Sequence, residues 1–111
     1  MYEYNATVDR VLDGDTVDCM VDLGFDIWVK QRVRLEGIDA PEVRTLDLTE
    51  KKQGFVVKDR VIELLENQDN KFILISHSVG KYGRCIGSLI LESGESVQDI
   101  LLKENLVKIY E

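Results

Sequence analysis

The sequence predicts a mainly β domain, a five-stranded antiparallel barrel with one longer helix and one short helix packed against it. Apolar and polar residues alternate through much of the first 35 residues, and a period of two is typical of half-buried strands. Residues 48–66 change to apolar spacings of three and four, which indicate an amphipathic helix. With 111 residues, the chain is expected to form a single domain over residues 1–111.

Three strands are predicted before residue 36. Residues 4–12 alternate weakly and end at the turn signal Asp13-Gly14. Between Val17 and Leu35 the apolar residues fall mostly on odd positions, and the pattern breaks near Leu23-Gly24, where glycine permits a turn or bulge. Two antiparallel strands joined at that point are therefore expected.

The longer helix is predicted between Leu48 and Glu66. Thr49 is the predicted cap, and the polar run of residues 67–70 is the predicted stop. Gly54 costs about 1 kcal/mol relative to alanine inside a helix, so the helix is expected to begin effectively near this residue.

Strands are predicted over residues 71–76 and 84–91, followed by a turn, a short helix over residues 97–104 and an extended tail over residues 106–110. No internal repeat or low-complexity stretch interrupts this order. Three strands, a helix, two strands and a short helix fit a small barrel with helices against it, and we expect an OB-fold barrel.

The composition excludes several classes of protein. No apolar run approaches the ~20 residues of a membrane span, so we expect no membrane partner. Residues 1–5 carry no secretory signal, which predicts a cytoplasmic protein, or a secreted one if the sequence has been trimmed. Cys19 and Cys85 are too few for a disulfide framework or a zinc site and are expected to be ordinary semi-buried thiols. His77, the single histidine, lies in a strand-like run without an acidic neighbour and is expected to be a plain strand residue.

The net charge of −7 argues against a polyanionic partner, because polyanion binding normally uses a positive surface. The charges are unevenly distributed. Residues 1–29 hold one basic and seven acidic side chains, residues 30–60 eight and six, and residues 61–111 five and eight. A polyanion is therefore expected to depend on the middle segment.

Two motifs combine carboxylates with turn-forming residues. Asp13-Gly14-Asp15-Thr16 follows a strand directly, although plain turn chemistry also explains this motif, since Asp-Gly is a common hairpin signal. In the second motif, RLEGIDAPE over residues 34–42, Pro41 holds Ala40 extended and gives its carbonyl a defined direction.

Oxygen donors from both motifs suit a hard cation such as calcium, which accepts carboxylates, backbone carbonyls and water. Asp15, Asp39 and the carbonyl of Ala40 are the candidate ligands, and three ligands leave room for water and substrate.

A third motif, Lys81-Tyr82-Gly83-Arg84, places two cations and an aromatic ring on a glycine-flanked loop. By itself an exposed basic turn explains it equally well. In this order, however, the three motifs resemble the signatures of the staphylococcal nuclease-like (thermonuclease) family: an Asp-Gly-Asp-Thr turn, an Arg-Leu…Asp-(Thr/Ala)-Pro-Glu segment and a Lys-Tyr-Gly-Arg loop.

The resemblance covers nearly the whole chain and implies an OB-fold barrel with calcium-dependent hydrolysis of phosphodiester bonds in DNA or RNA. Little sequence specificity and a single-stranded or flexible substrate are expected. By this resemblance Asp15 and Asp39 bind calcium with their carboxylates and Ala40 with its carbonyl, while Glu42 positions or deprotonates the attacking water.

The same resemblance implies that Arg34 and Arg84 bind the phosphate, with Lys81 and Tyr82 near a terminal phosphate. Phosphodiester attack builds negative charge on the equatorial oxygens, so guanidinium groups placed there stabilise the transition state more than the ground state. The chemistry therefore requires these residue types independently of the family.

Three departures from the family pattern stand out. The hairpin between Thr16 and Arg34 is a few residues longer, Tyr110 is displaced by about one position from a family tyrosine, and no third helix follows the tail before Glu111. A minimal monomer or a homodimer is expected. The rival interpretations are a catalytically inactive OB-fold module that binds nucleic acid or protein, and a calcium-stabilised structural module.

Overall fold

The computed structural model describes residues 2–79 and 84–110. Lys81 and Tyr82, the predicted substrate-binding residues, lie outside this range. The strands are β1 (Tyr2–Asp13), β2 (Thr16–Asp22), β3 (Trp28–Leu35), β4 (Ile38–Asp39), β5 (Lys71–Val79), β6 (Cys85–Ile90) and β7 (Lys108–Ile109). The helices are α1 (Leu48–Glu66) and α2 (Val97–Lys103).

Five strands close into a barrel in the order β1-β2-β3-β6-β5, with β5 pairing back onto β1. This confirms the predicted five-stranded OB-type barrel with one longer and one short helix. One pairing differs from the expected antiparallel pattern, because β3 and β6 run parallel, with Val33 opposite Cys85. The chain returns from β3 to β6 only after α1 and β5, and parallel neighbours require such a crossover.

Alternating side chains of the barrel strands form the core, which extends beneath both helices. Both helices and five of the strands, β2 to β6, contribute large and fully buried residues to it: Val17, Val33, Leu35, Ile38, Val57, Val61, Leu65, Leu74, Leu89, Val97 and Leu101. The odd positions of β2 are buried, as the alternation predicts.

The alternation continues into the β2–β3 turn, but there it does not mark buried positions. The turn lies where it was predicted, and Gly24, Phe25 and Asp26 all adopt positive φ. Its apolar side chains face solvent, and Phe25 is 98% exposed. A period of two therefore predicted the strands correctly but not their ends.

Helix α1 has the predicted bounds, Leu48–Glu66, but its N-cap lies two residues before the predicted cap. Asp47, and not Thr49, is the cap, because its carboxylate accepts hydrogen bonds from the backbone N–H groups of Thr49 at 3.0 Å and Glu50 at 3.3 Å. The helix also continues through Gly54, which is buried, so the expected start near Gly54 is wrong.

Two glycines let α1 approach the loops at the end of the barrel. A Cβ on Gly14 would lie 2.3 Å from Cγ1 of Val57, and a Cβ on Gly54 would lie 2.7 Å from the carbonyl oxygen of Glu42. Gly14 belongs to the turn between β1 and β2, and Glu42 to the loop before α1. The absence of a side chain at Gly14 and Gly54 therefore lets the helix pack directly against the two acidic motifs.

A buried carboxylate on the barrel wall is neutralised by its neighbour across β2 and β3. Asp18 accepts hydrogen bonds from Nε of Arg32 at 2.8 Å and from Nη2 at 3.1 Å. These hydrogen bonds from Arg32 lower the pKa of Asp18 below its ordinary value of 3.8, against the effect of burial.

The two cysteines lie deeper than the semi-buried position expected of them. Cys19 and Cys85 are both free and buried. Burial raises the pKa of the Cys19 thiol to about 12, so it stays protonated and packs as a small apolar group. Separately, no helix in the described residues is both long and apolar enough to cross a membrane.

Replacing Gly54 with alanine tests the close approach of α1 to the Glu42 loop. Helix propensity alone would stabilise the variant by about 1 kcal/mol. We expect a lower Tm instead, because the added Cβ collides with backbone oxygens of Pro41 and Glu42. Asp59→Ala, at an exposed position of the same helix, is the control and should not lower the Tm. A higher Tm for Gly54→Ala would contradict the packing described here.

The Asp18–Arg32 pair predicts a pH-dependent contribution to stability. A carboxylate whose pKa is lowered on folding stabilises the protein above its unfolded pKa and loses that effect as the pH falls through the folded value. Asp18→Asn should destabilise the protein at pH 7 by about 1 kcal/mol, since Arg32 is half exposed. Chemical unfolding should show the gap between wild type and variant closing below pH 3.8. A gap that stays constant down to acid unfolding would refute this assignment.

Candidate active site

Four of the predicted site residues come together at one end of the barrel. Asp15 lies in the turn between β1 and β2, Arg34 near the end of β3, and Asp39 and Ala40 in and after β4. The backbone N–H of Leu35 donates to the carbonyl of Asp15 at 2.8 Å, which ties the end of β3 to this turn. Strand pairing therefore brings together motifs that are distant in the sequence.

Asp15 is the buried carboxylate of the group, with 8% of its surface exposed. Its Oδ2 accepts a hydrogen bond from the backbone N–H of Ala40 at 2.9 Å, and its Oδ1 accepts one from the Thr16 hydroxyl at 3.0 Å. Nη1 of Arg34 lies 3.3 Å from Oδ2. The carboxylate thus joins the β1–β2 turn to the end of β3 and to the segment after β4.

Arg34 is held by backbone carbonyls as well as by charge. Nη1 donates to the carbonyl oxygens of Leu35 at 3.2 Å and Ile38 at 3.0 Å. The guanidinium carbon lies 5.5 Å from the centre of the Tyr110 ring, a distance typical of a cation–π contact. These contacts fix the guanidinium before any ligand arrives.

The Arg34 guanidinium also lies between the two predicted metal-binding carboxylates. Nη1 contacts Asp15, and Nη2 is 3.7 Å from Oδ1 of Asp39. The side chain of Asp39 is 60% exposed, so this end of the barrel is open to solvent. One cationic group and two carboxylates therefore share a single accessible site.

The oxygen donors at this site suit a hard cation. Within residues 2–79 and 84–110, no three His, Cys, Asp or Glu side chains are grouped as a metal site. A cation held by Asp15, Asp39 and the Ala40 carbonyl would thus need water or substrate oxygens to complete its coordination, as calcium accepts. Oδ1 of Asp15 accepts one hydroxyl hydrogen bond and keeps lone-pair capacity for a cation. The residues present fit such an ion.

Glu42 lies in the exposed loop that leads into α1. Its backbone N–H donates to Oε2 of Glu50 at 3.2 Å, and the N–H of Val43 donates to Oδ1 of Asp13 at 3.2 Å. Among the described residues, no hydrogen bond or ion pair joins the Glu42 carboxylate to Asp15, Asp39 or Arg34. The loop is fixed by its backbone, and the carboxylate faces solvent.

Arg84 is exposed and directly precedes β6. The parallel pairing sets Cys85 opposite Val33 and Ile86 opposite Arg34. Arg84 therefore lies two residues before Ile86, the strand neighbour of Arg34. The loop that holds Lys81 and Tyr82 in the same motif lies outside the described residues.

Sequence reasoning missed two contributors to this site. The first is Tyr110. Its backbone N–H donates to the carbonyl of Gly37 at 2.9 Å, and the pairing of β4 with β7 holds the tail beside this loop. The Tyr110 ring therefore lies over Arg34, although this tyrosine is displaced in the sequence from the family tyrosine. Helix propensity predicts that Gly54 weakens the helix, whereas its missing side chain admits the Glu42 loop. A glycine inside an amphipathic helix is the one local signal that pointed to such packing.

His77 has an acidic neighbour in space that its sequence context did not indicate. It lies in β5, as predicted, but its Nε2 is 3.1 Å from Oε2 of Glu36 and 3.0 Å from the hydroxyl of Ser88. The predicted strand residue therefore also has an acidic partner from a distant part of the chain. Glu36 follows β3, and it lies near His77 of β5 because β6 pairs with both strands.

Comparison with known proteins places these motifs in a family. The profile described as "Staphylococcal nuclease homologue" matches residues 32–111. Endonuclease YhcR of Bacillus subtilis (strain 168) is 30% identical over 97% of this chain, and Endonuclease YncB of the same organism is 29% identical over 95%. Staphylococcal-like nuclease CAN1 of Arabidopsis thaliana is 31% identical over 73%.

The aligned regions make up 9%, 47% and 22% of YhcR, YncB and CAN1, so this chain spans less than half of each relative. The comparisons confirm the resemblance found in the three motifs. Since the family profile matches more than half of its length, the chain belongs to the staphylococcal nuclease homologue family.

Proposed function

We propose that this domain is a calcium-dependent nuclease that hydrolyses phosphodiester bonds of DNA or RNA with little sequence specificity. The observation that carries the proposal is the Arg34 guanidinium, fixed between the carboxylates of Asp15 and Asp39 at the open end of the barrel. Two of the relatives are named endonucleases and the third a nuclease, which supports the same class of reaction.

Arg34 is suited to transition-state stabilisation because it is fixed in advance. Attack on a phosphodiester increases negative charge on the equatorial oxygens, and a donor that needs no reorganisation stabilises that charge most effectively. The carbonyls of Leu35 and Ile38 orient Arg34. Exposed Arg84, directly before β6, would provide a second guanidinium beside β3. Two guanidinium groups also bind a phosphate with paired hydrogen bonds.

Asp15, Asp39 and the carbonyl of Ala40 are the residues that would hold calcium. When bound, the ion would lower the pKa of a coordinated water and neutralise charge on the phosphate. Glu42 has a solvent-facing carboxylate within the same motif and is the candidate base that accepts the proton of the attacking water. Because phosphate and sugar contacts carry no base information, such a site would cleave with little sequence preference.

Digestion of single-stranded DNA and RNA tests this proposal. Wild type should cleave with calcium and not with a chelator. We expect Glu42→Gln and Arg84→Ala each to lower the cleavage rate by about 10²–10³, the typical loss for a general base or a transition-state donor. Glu3→Gln and Arg10→Ala, at exposed positions of β1, are matched controls that should retain the wild-type rate. A wild type that binds nucleic acid without cleaving it would instead identify an inactive binding module.

Calcium should also stabilise the fold. The Asp15 and Asp39 carboxylates share one end of the barrel, and a bound cation relieves their mutual repulsion. At about ten times its Kd, calcium would add about 1.4 kcal/mol, which corresponds to a rise in Tm of about 4–8 °C.

Asp39→Asn should abolish this rise without unfolding the protein, because Asp39 is exposed, and Asp59→Asn on α1 should preserve it. Differential scanning fluorimetry with calcium, magnesium and chelator provides the measurement. An unchanged wild-type Tm at millimolar calcium would count against the site.

A further inference from the structure

A cleft of about 640 Å³ opens beside the candidate active site, between α1 and the tail that follows α2. Val56 and Val57 of α1 line one wall, and Leu106 and Val107 of the tail line the other. We call it the α1–tail cleft. Its volume lies within the ~300–1,000 Å³ range of small-ligand sites.

The α1–tail cleft is continuous with the candidate active site. Asp39 and Ala40, two of the proposed metal ligands, also line the cleft. A nucleic-acid strand with one phosphate at Arg34 could therefore continue past Asp39 into the cleft. The cleft is placed to receive a group that adjoins the reacting phosphate.

The charged groups of the cleft favour an anionic ligand. Lys52 and Lys108 line it, and within the described residues neither ammonium forms an ion pair. The two acidic lining residues are already engaged, because Asp39 contacts Arg34 and Glu50 accepts a hydrogen bond from the backbone of Glu42. Anionic ligands would thus meet available lysines and partly neutralised carboxylates.

Elsewhere in the described residues, many cations are occupied by acidic neighbours. Lys30 contacts Asp9, Arg32 contacts Asp18, and Lys103 contacts Glu95. Lys51 and Lys52 instead lie together on the exposed side of α1, in the one segment of the sequence with a net positive charge. For a protein of net charge −7, this is where a polyanion meets the least repulsion.

We propose that the α1–tail cleft binds an unpaired nucleotide adjoining the scissile phosphate of a single-stranded nucleic acid. Lys52 and Lys108 would contact its phosphate, and the base would lie against Val56 and Leu106. Paired bases could not expose a face to this apolar surface, whereas an unpaired base can. This inference rests on the proposed nuclease function and adds a substrate subsite to it.

Binding of a fluorescein-labelled single-stranded oligodeoxynucleotide to the Glu42→Gln protein tests the inference without cleavage. Lys52→Glu and Val56→Glu should each weaken binding about tenfold, and Lys52→Glu should also reduce the dependence of the Kd on salt. Lys71→Glu, the same charge change at an exposed position of β5, is the control and should have a smaller effect. Val56 is 57% exposed, so Val56→Glu should fold normally, which circular dichroism can verify.

Several results would overturn the proposal. Equal losses for Lys52→Glu and Lys71→Glu would mean that only total charge matters, and displacement of the oligonucleotide by a polyglutamate peptide would indicate an acidic protein ligand instead. Equally tight binding of duplex DNA would also contradict an unpaired base in the cleft. Cleavage by the wild type, measured in parallel, keeps the two proposals separate. If the wild type cleaves but Lys52→Glu and Val56→Glu bind as tightly as their parent, only the cleft proposal is refuted. If these variants bind more weakly but the wild type does not cleave, only the nuclease proposal is refuted.

Discussion

The carboxylate of Asp15 is buried at the end of the barrel, where it meets the Arg34 guanidinium and the Ala40 backbone amide. A buried carboxylate without partners would cost several kcal/mol, so these contacts are needed for folding as much as for chemistry. They hold the β1–β2 turn, the end of β3 and the segment after β4 in one arrangement. The same ion pair that stabilises this end of the barrel also orients the guanidinium proposed to bind phosphate.

Helix α1 packs against these segments and forms part of the surface beside them. Gly14 and Gly54 let it approach both acidic motifs, so one side of the helix supports the candidate active site. Its exposed side carries Lys52 and Val56 and forms a wall of the α1–tail cleft. The packing of a single helix therefore determines both the position of the Glu42 loop and the space available for the rest of a substrate.

The features that the sequence predicted are those with a local or repeating signal. The strands of the barrel, α1 and the three charged motifs belong to this class, because side-chain period and turn residues act over a few positions. The parallel pairing of β3 with β6, the contact of His77 with Glu36 and the Tyr110 ring over Arg34 depend on how distant segments meet. The Asp47 cap was missed for another reason, since Thr49 satisfies the same local rule two residues later.

We propose that Asp15, Arg34 and Asp39 form one site for a metal ion and a phosphate. The most direct measurement is a crystal structure of the Glu42→Gln variant with calcium and a short single-stranded oligonucleotide. We expect calcium to be bound by the carboxylates of Asp15 and Asp39, and a backbone phosphate to be hydrogen-bonded to Arg34. An ion bound elsewhere on the protein, or a phosphate bound away from Arg34, would contradict it.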